Sequence, residues 1–101
     1  MIEKQIADGV ITLTVKQDVV ATAGVQLKSE LMAIIVDDYD QYILDFDQVN
    51  SIDSSGVGVL IAAQNDLGSR GNKLKVTNVS APIHKMFRIM RLDKHFDIEP
   101  K

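Results

Sequence analysis

The apolar residues of this 101-residue chain switch repeatedly between the two-residue rhythm of a strand and the three-to-four-residue rhythm of a helix. Few folds accommodate that order. Ile2 to Ile6 and Val10 to Val15 are β-prone runs joined at Asp8-Gly9, a pair that favours a tight hairpin. From about Thr22, the expected N-cap, the pattern turns helical, with Leu27, Leu31, Ile34 and Ile35 on one stripe. Tyr42 to Phe46 reads as a short buried strand. A second helix carries Val57, Leu60, Ile61 and Leu67 and should stop near Gly68 or Gly71, since glycine adopts a left-handed C-cap at low cost. Lys73 to Val76 is the next strand. Ser80 then offers a cap to a third helix with Pro82 in its first turn and Ile83, Met86, Phe87 and Met90 as its inner stripe. His95 to Ile98 adds a last strand. The order β-β-α-β-α-β-α-β predicts one α/β domain over residues 1–101, with right-handed crossovers and a mixed, mostly parallel central sheet flanked by helices.

Bulk properties narrow the function. A 46% apolar and 25% charged composition suits a soluble globular domain, and a net charge of −3 gives no electrostatic footprint for direct nucleic-acid binding. No apolar run approaches the roughly 20 residues that cross a bilayer, so membrane insertion is not expected and a cytoplasmic location is. The lack of cysteine removes disulfides, thiolate metal sites and thiol nucleophiles. His84 and His95 have no ligand spacing around them, so no metal is expected. The turn Gly68-Ser69-Arg70-Gly71-Asn72 lacks the lysine and hydroxyl of a phosphate-binding P-loop. No Ser/His/Asp order or G-x-S-x-G elbow supports catalysis, and no cofactor is implied.

The break in regularity lies at Gln48 to Ser55, where a strand gives way to a helix through Ile52-Asp53-Ser54-Ser55-Gly56-Val57-Gly58. Sites in open α/β sheets gather beyond the carboxyl ends of strands. Ser54 and Ser55 fall at a helix N-terminus, where unpaired N–H groups and the helix dipole favour a phosphate on a hydroxyl or on a ligand. An ordinary capped helix start explains the aspartate and serines equally well. Two glycines in one first turn point further, to close approach by another backbone or by a partner. Asp18, just after the second strand, is expected near the same sheet edge as Asp53. A phosphate on Ser54 beside these carboxylates would be repelled by roughly 3 kcal/mol per unit pair at about 5 Å and an effective dielectric of 20.

Leu44-Asp45-Phe46, Val49, Ile52 to Leu60, Gly71 to Val76, and Ile83 to Phe87 with Leu92 together resemble the STAS-domain anti-sigma factor antagonists of bacteria. The likeness covers nearly the whole chain. It implies that Ser54 is phosphorylated by a cognate anti-sigma factor that is a histidine-kinase-like serine kinase, with Ser55 the weaker candidate. Asp53 matches the motif aspartate, and Asp18 an acidic residue beside the phosphoacceptor. The resemblance further implies that the unphosphorylated form binds the kinase and frees its sigma factor, that phosphorylation ends binding, and that a serine phosphatase resets the switch. Ser54, Ser55, Gly56, Val57 and Gly58 are the expected docking residues. Lys16, unusual at its position, would soften the acidic pocket or form a salt bridge. Two other readings stand beside this one: a constitutive accessory subunit of a membrane transport or signalling assembly, and a nucleotide site at the helix N-terminus.

Overall fold

A computed structural model describes all residues from Met1 to Lys101. Strands β1 (Ile2–Ala7) and β2 (Val10–Val15) form an antiparallel hairpin, and Asp8 and Gly9 at its tip both take positive φ, 53° and 79°. That is the backbone a two-residue type I′ turn demands. Helix α1 (Thr22–Ile35), strand β3 (Gln41–Asp45), helix α2 (Ser54–Ser69), strand β4 (Leu74–Val79), helix α3 (Ala81–Ile89) and strand β5 (Asp97–Pro100) follow, with a 3-10 turn at Leu92–Lys94. The sheet order is β1-β2-β3-β4-β5, with every neighbour after the hairpin parallel. The expected element order and mixed sheet are therefore present.

Alternation decides which face of the sheet is covered. Ile11 pairs with Tyr42 and Leu13 with Leu44, while Tyr42 and Leu44 pair in turn with Leu74 and Val76. These side chains share one face and join a single core of 24 buried apolar residues that includes Leu27, Leu31, Leu60, Ala63, Leu67 and Phe87. Thr12, Thr14, Ile43, Lys75 and Thr77 lie on the opposite face and are only half-buried. The helices thus cover one side of the sheet, and the two-residue rhythm of β2 to β4 records it.

Four expectations shift. Thr22 does not cap α1; it is the first helical residue, preceded by Ala21 at φ 52° and ψ −128° with no side-chain cap. A non-glycine residue there is strained, and what holds it is described below. Strand β4 runs on to Val79 across an irregularity opposite β5, made possible by Asn78 at φ 54°, whose side-chain amide donates to Asp45 Oδ1 at 3.0 Å. The last strand begins at Asp97 instead of His95, because Leu92 and Phe96 must first turn into the core through the 3-10 segment. Met90 leaves the stripe altogether: it caps the end of α3 and is 45% exposed, while Ile83 and Phe87 are buried.

Candidate switch site at the α2 N-terminus

The site is built where two loops meet. Beyond the carboxyl ends of β2 and β3, Val19 and Ile52 form an isolated parallel bridge: Val19 N–H donates to the Ser51 carbonyl at 3.0 Å, and Asp53 N–H to the Val19 carbonyl at 3.2 Å. Both side chains enter the core, so the bridge is anchored by apolar burial. Two carboxylates close it from either side. Asp18 Oδ1 accepts from Asn50 N–H at 2.7 Å and Ser51 N–H at 3.2 Å. In the other direction, Asp53 Oδ2 accepts from Ala21 N–H at 2.8 Å. This bond accounts for the strained Ala21 backbone, which turns its amide toward the carboxylate.

Asp53 also caps α2. Its Oδ1 accepts from Ser55 N–H at 3.1 Å, from Gly56 N–H at 3.2 Å and from Ser55 Oγ–H at 2.5 Å. The Ala21 amide, the Ser55 hydroxyl and the Gly56 amide all favour the charged form and hold this carboxyl at about 2, below its ordinary 3.8. Because the folded value is the lower one, the stabilisation is present above pH 3.8 and is lost as pH falls through about 2. Accordingly, Asp53→Asn, which keeps a capping oxygen but cannot titrate, should flatten the acid limb of a Tm-against-pH profile between about pH 4 and 2. A limb as steep as the wild type's would show that other groups govern acid unfolding.

The two serines are placed differently. Ser55 spends its hydroxyl on Asp53 and packs against Gly24, where a Cβ would stand 2.8 Å from Ser55 Oγ. Ser54, the first residue of α2, is exposed, and its hydroxyl makes no hydrogen bond within the chain. Of the free amides expected at this helix start, Asp53 takes those of Ser55 and Gly56. A ligand phosphate at this helix start would have to displace Asp53 from those two amides.

Two of the expected docking residues face inward. Gly56 is buried with Ile52 and Val19 against it, and Val57 is 3% exposed in the core. A helix that turns its 100°-wide apolar stripe to the sheet can offer only its other side. Ser54, Ser55 and Gly58 remain on the surface. Beside them a shallow groove of about 450 Å³ runs between α1 and α2, lined by Gly24, Val25, Lys28, Ser55, Gly58 and Val59. Val25 is 72% exposed there. The sequence reading missed Gly24, Val25 and Lys28, for which the signal was a glycine inside the first turn of α1 with an apolar residue after it, off the Leu27 and Leu31 stripe. Lys16 resolves to a salt bridge, with Nζ 2.7 Å from Glu3 Oε2 on β1. Lysine lowers the Glu3 carboxyl below its ordinary range.

A family model for the STAS domain matches residues 1–101, the whole chain. The chain belongs to the STAS-domain family. A search of curated proteins finds no match. Among solved structures, this STAS domain superimposes on a Thermotoga maritima protein designated an anti-sigma factor antagonist with a TM-score of 0.91 at 19% identity, covering 99% of this chain and 86% of that one. The phosphorylated form of the Bacillus cell fate determinant SpoIIAA gives 0.72 at 18% identity, over 97% and 90% of the two chains. A sulfate transporter family protein from Wolinella succinogenes gives 0.79 at 20% identity, over 95% and 80%. At these identities the likeness establishes the STAS fold. No helix of this STAS domain is long and apolar enough to cross a membrane, and no group of three or more His, Asp or Glu side chains is placed to hold a metal ion.

Proposed function

We propose that this protein is an anti-sigma factor antagonist that works by partner switching, binding a cognate anti-sigma serine kinase when unphosphorylated and releasing it when Ser54 carries phosphate. The observation that carries the reading is the contrast between the two serines: Ser55, which lines the α1–α2 groove, is bonded to Asp53, whereas its neighbour Ser54 presents a free, exposed hydroxyl. Membership of the STAS family and the fold shared with SpoIIAA, designated an anti-sigma factor antagonist and known in phosphorylated form, support it.

The capping bonds give the switch its physical form. A phosphate on Ser54 cannot fold back onto the amides of Ser55 and Gly56, because Asp53 already holds both. Its roughly −1.5 to −2 charges stay on the docking face, next to an ionised aspartate. Any partner packed there must desolvate that charge or lose the contact. A serine phosphatase would restore binding, and the domain itself needs no catalytic group.

Binding of the kinase from the native host tests this directly. Ser54→Asp should weaken it at least tenfold, and Ser54→Ala should bind as the wild type does while taking up no phosphate. An aspartate at the first helical position complements the dipole, so the acidic variant should remain folded. Equal affinity of both variants would overturn the reading. The fold shared with a sulfate transporter family protein favours one alternative, a constitutive subunit of a transport assembly. In that case wild type and Ser54→Asp would capture the same membrane-transport partner, and no phosphate would be found on Ser54 in cells.

A further inference from the structure

The largest concavity of the molecule, about 700 Å³, lies away from the α1–α2 groove, between α3 and the ends of β4 and β5. Its walls carry His84, Lys85, Arg88 and Lys101, with Ala81 and Ile89 supplying apolar surface. Four nitrogen bases around one cleft are unexpected in a chain of net charge −3. The concentration continues past the end of α3: residues 84–95 hold Lys85, Arg88, Arg91 and Lys94 against Asp93 alone.

Ion pairing marks the same place. Of the 11 Lys and Arg residues, Lys16, Arg70, Lys73, Lys75 and Lys101 have carboxylate partners within 4 Å. Lys85, Arg88, Arg91 and Lys94 are four of the six that have none. Nearby acids are already engaged, Asp97 with Lys73, Glu99 with Lys75 and Asp47 with Lys101. The positive field of Lys85 and Arg88 is therefore left uncompensated by the protein.

We infer that this cleft binds a small organic phosphate, its phosphate held by Lys85, Arg88 and His84 and its apolar body resting on Ala81 and Ile89. The volume is that of a small-molecule site, and convergent polar groups beside an apolar patch are what orient a ligand in one. Guanidinium and ammonium groups together match the phosphate's several acceptor oxygens. An extended nucleic-acid backbone would need basic surface beyond this one helix, and the overall charge opposes it. The site is independent of Ser54, although Lys101 links it to the switch loop by donating to the Asp47 carbonyl at 3.0 Å.

Amide chemical-shift titration of the full chain with inorganic phosphate and with phenyl phosphate, at constant ionic strength in chloride, tests the inference. Saturable shifts should be confined to Val79, Ala81, His84 to Ile89 and Lys101, with phenyl phosphate at least tenfold tighter because only it uses the apolar wall. Lys85→Glu combined with Arg88→Glu should weaken binding at least tenfold while the remaining amides keep their positions. Lys4→Glu, at an unpaired cation on β1 at the opposite edge of the sheet, should leave phosphate binding unchanged. Shifts that never saturate would overturn the site, as would saturable binding that survives the double charge reversal.

Discussion

Gly56→Ala should destabilise the domain by about 1 to 3 kcal/mol, whereas Gly58→Ala, two residues along the same helix, should stabilise it by up to about 1 kcal/mol. A Cβ at Gly56 would stand 2.6 Å from Ile52 Cγ1, 2.7 Å from the Val19 carbonyl oxygen and 2.8 Å from Val19 Cγ1. Two of those atoms belong to buried β-branched side chains with little rotamer freedom, and the carbonyl is fixed by the bond it accepts from Asp53 N–H. Relief therefore requires the Val19–Ile52 bridge to open. Nothing lies within 4 Å of a Cβ at Gly58, and alanine there only removes glycine's excess backbone entropy. Urea unfolding of the two variants measures both signs. A Gly56→Ala protein as stable as the wild type would mean that the two loops do not pack as tightly as described. Kinase binding should fall with Gly56→Ala as well, since the same bridge positions Ser54.

These glycines also show where sequence reading ends. Two residues apart in the motif, they looked like one feature and suggested one cause, close approach by a backbone or a partner. Only Gly56 is closely approached, and the approaching backbone is the chain's own. What decides between them is the contact of residue 19 with residue 52, which no local pattern encodes. Asp18 and Asp53 are similar: their nearness to one sheet edge follows from strand order, but their use as reciprocal anchors between two loops depends on which amides the bridge leaves unpaired. By contrast, the hairpin at Asp8-Gly9 and the start of α2 at Ser54 were legible because their causes lie within four residues, a positive-φ turn and an aspartate cap. The basic cleft is the reverse case. Lys85, Arg88 and Arg91 read as the wet face of an amphipathic helix, and their significance appears only when the ion-pair partners of every other cation are known.

The largest stability effect is expected within the stripe Ile83, Met86, Phe87 and Met90, and it should be confined to part of it. Phe87 is fully buried and meets Phe96 edge to face, ring centroids 6.1 Å apart at 85°. That pair joins α3 to the segment leading into β5, an edge strand with parallel pairing on one side only. Phe87→Ala removes the ring, leaves a cavity and strands its partner, a loss of about 3 to 5 kcal/mol. For a domain of about 100 residues this lowers Tm by more than about 12 °C, taking at least about 4 °C per kcal/mol. Met90 follows the helical spacing equally well, yet α3 has already ended and the side chain is 45% exposed. Met90→Ala should therefore stay within about 0.5 kcal/mol of the wild type. Calorimetry of the two variants separates periodicity from burial, and similar losses for both would mean that α3 continues and turns Met90 inward. The Phe87→Ala protein also separates the two sites: if β5 frays before the rest of the sheet, phenyl phosphate binding at the α3 cleft should weaken while the Ser54 face, built on β2, β3 and α2, keeps its affinity for the kinase.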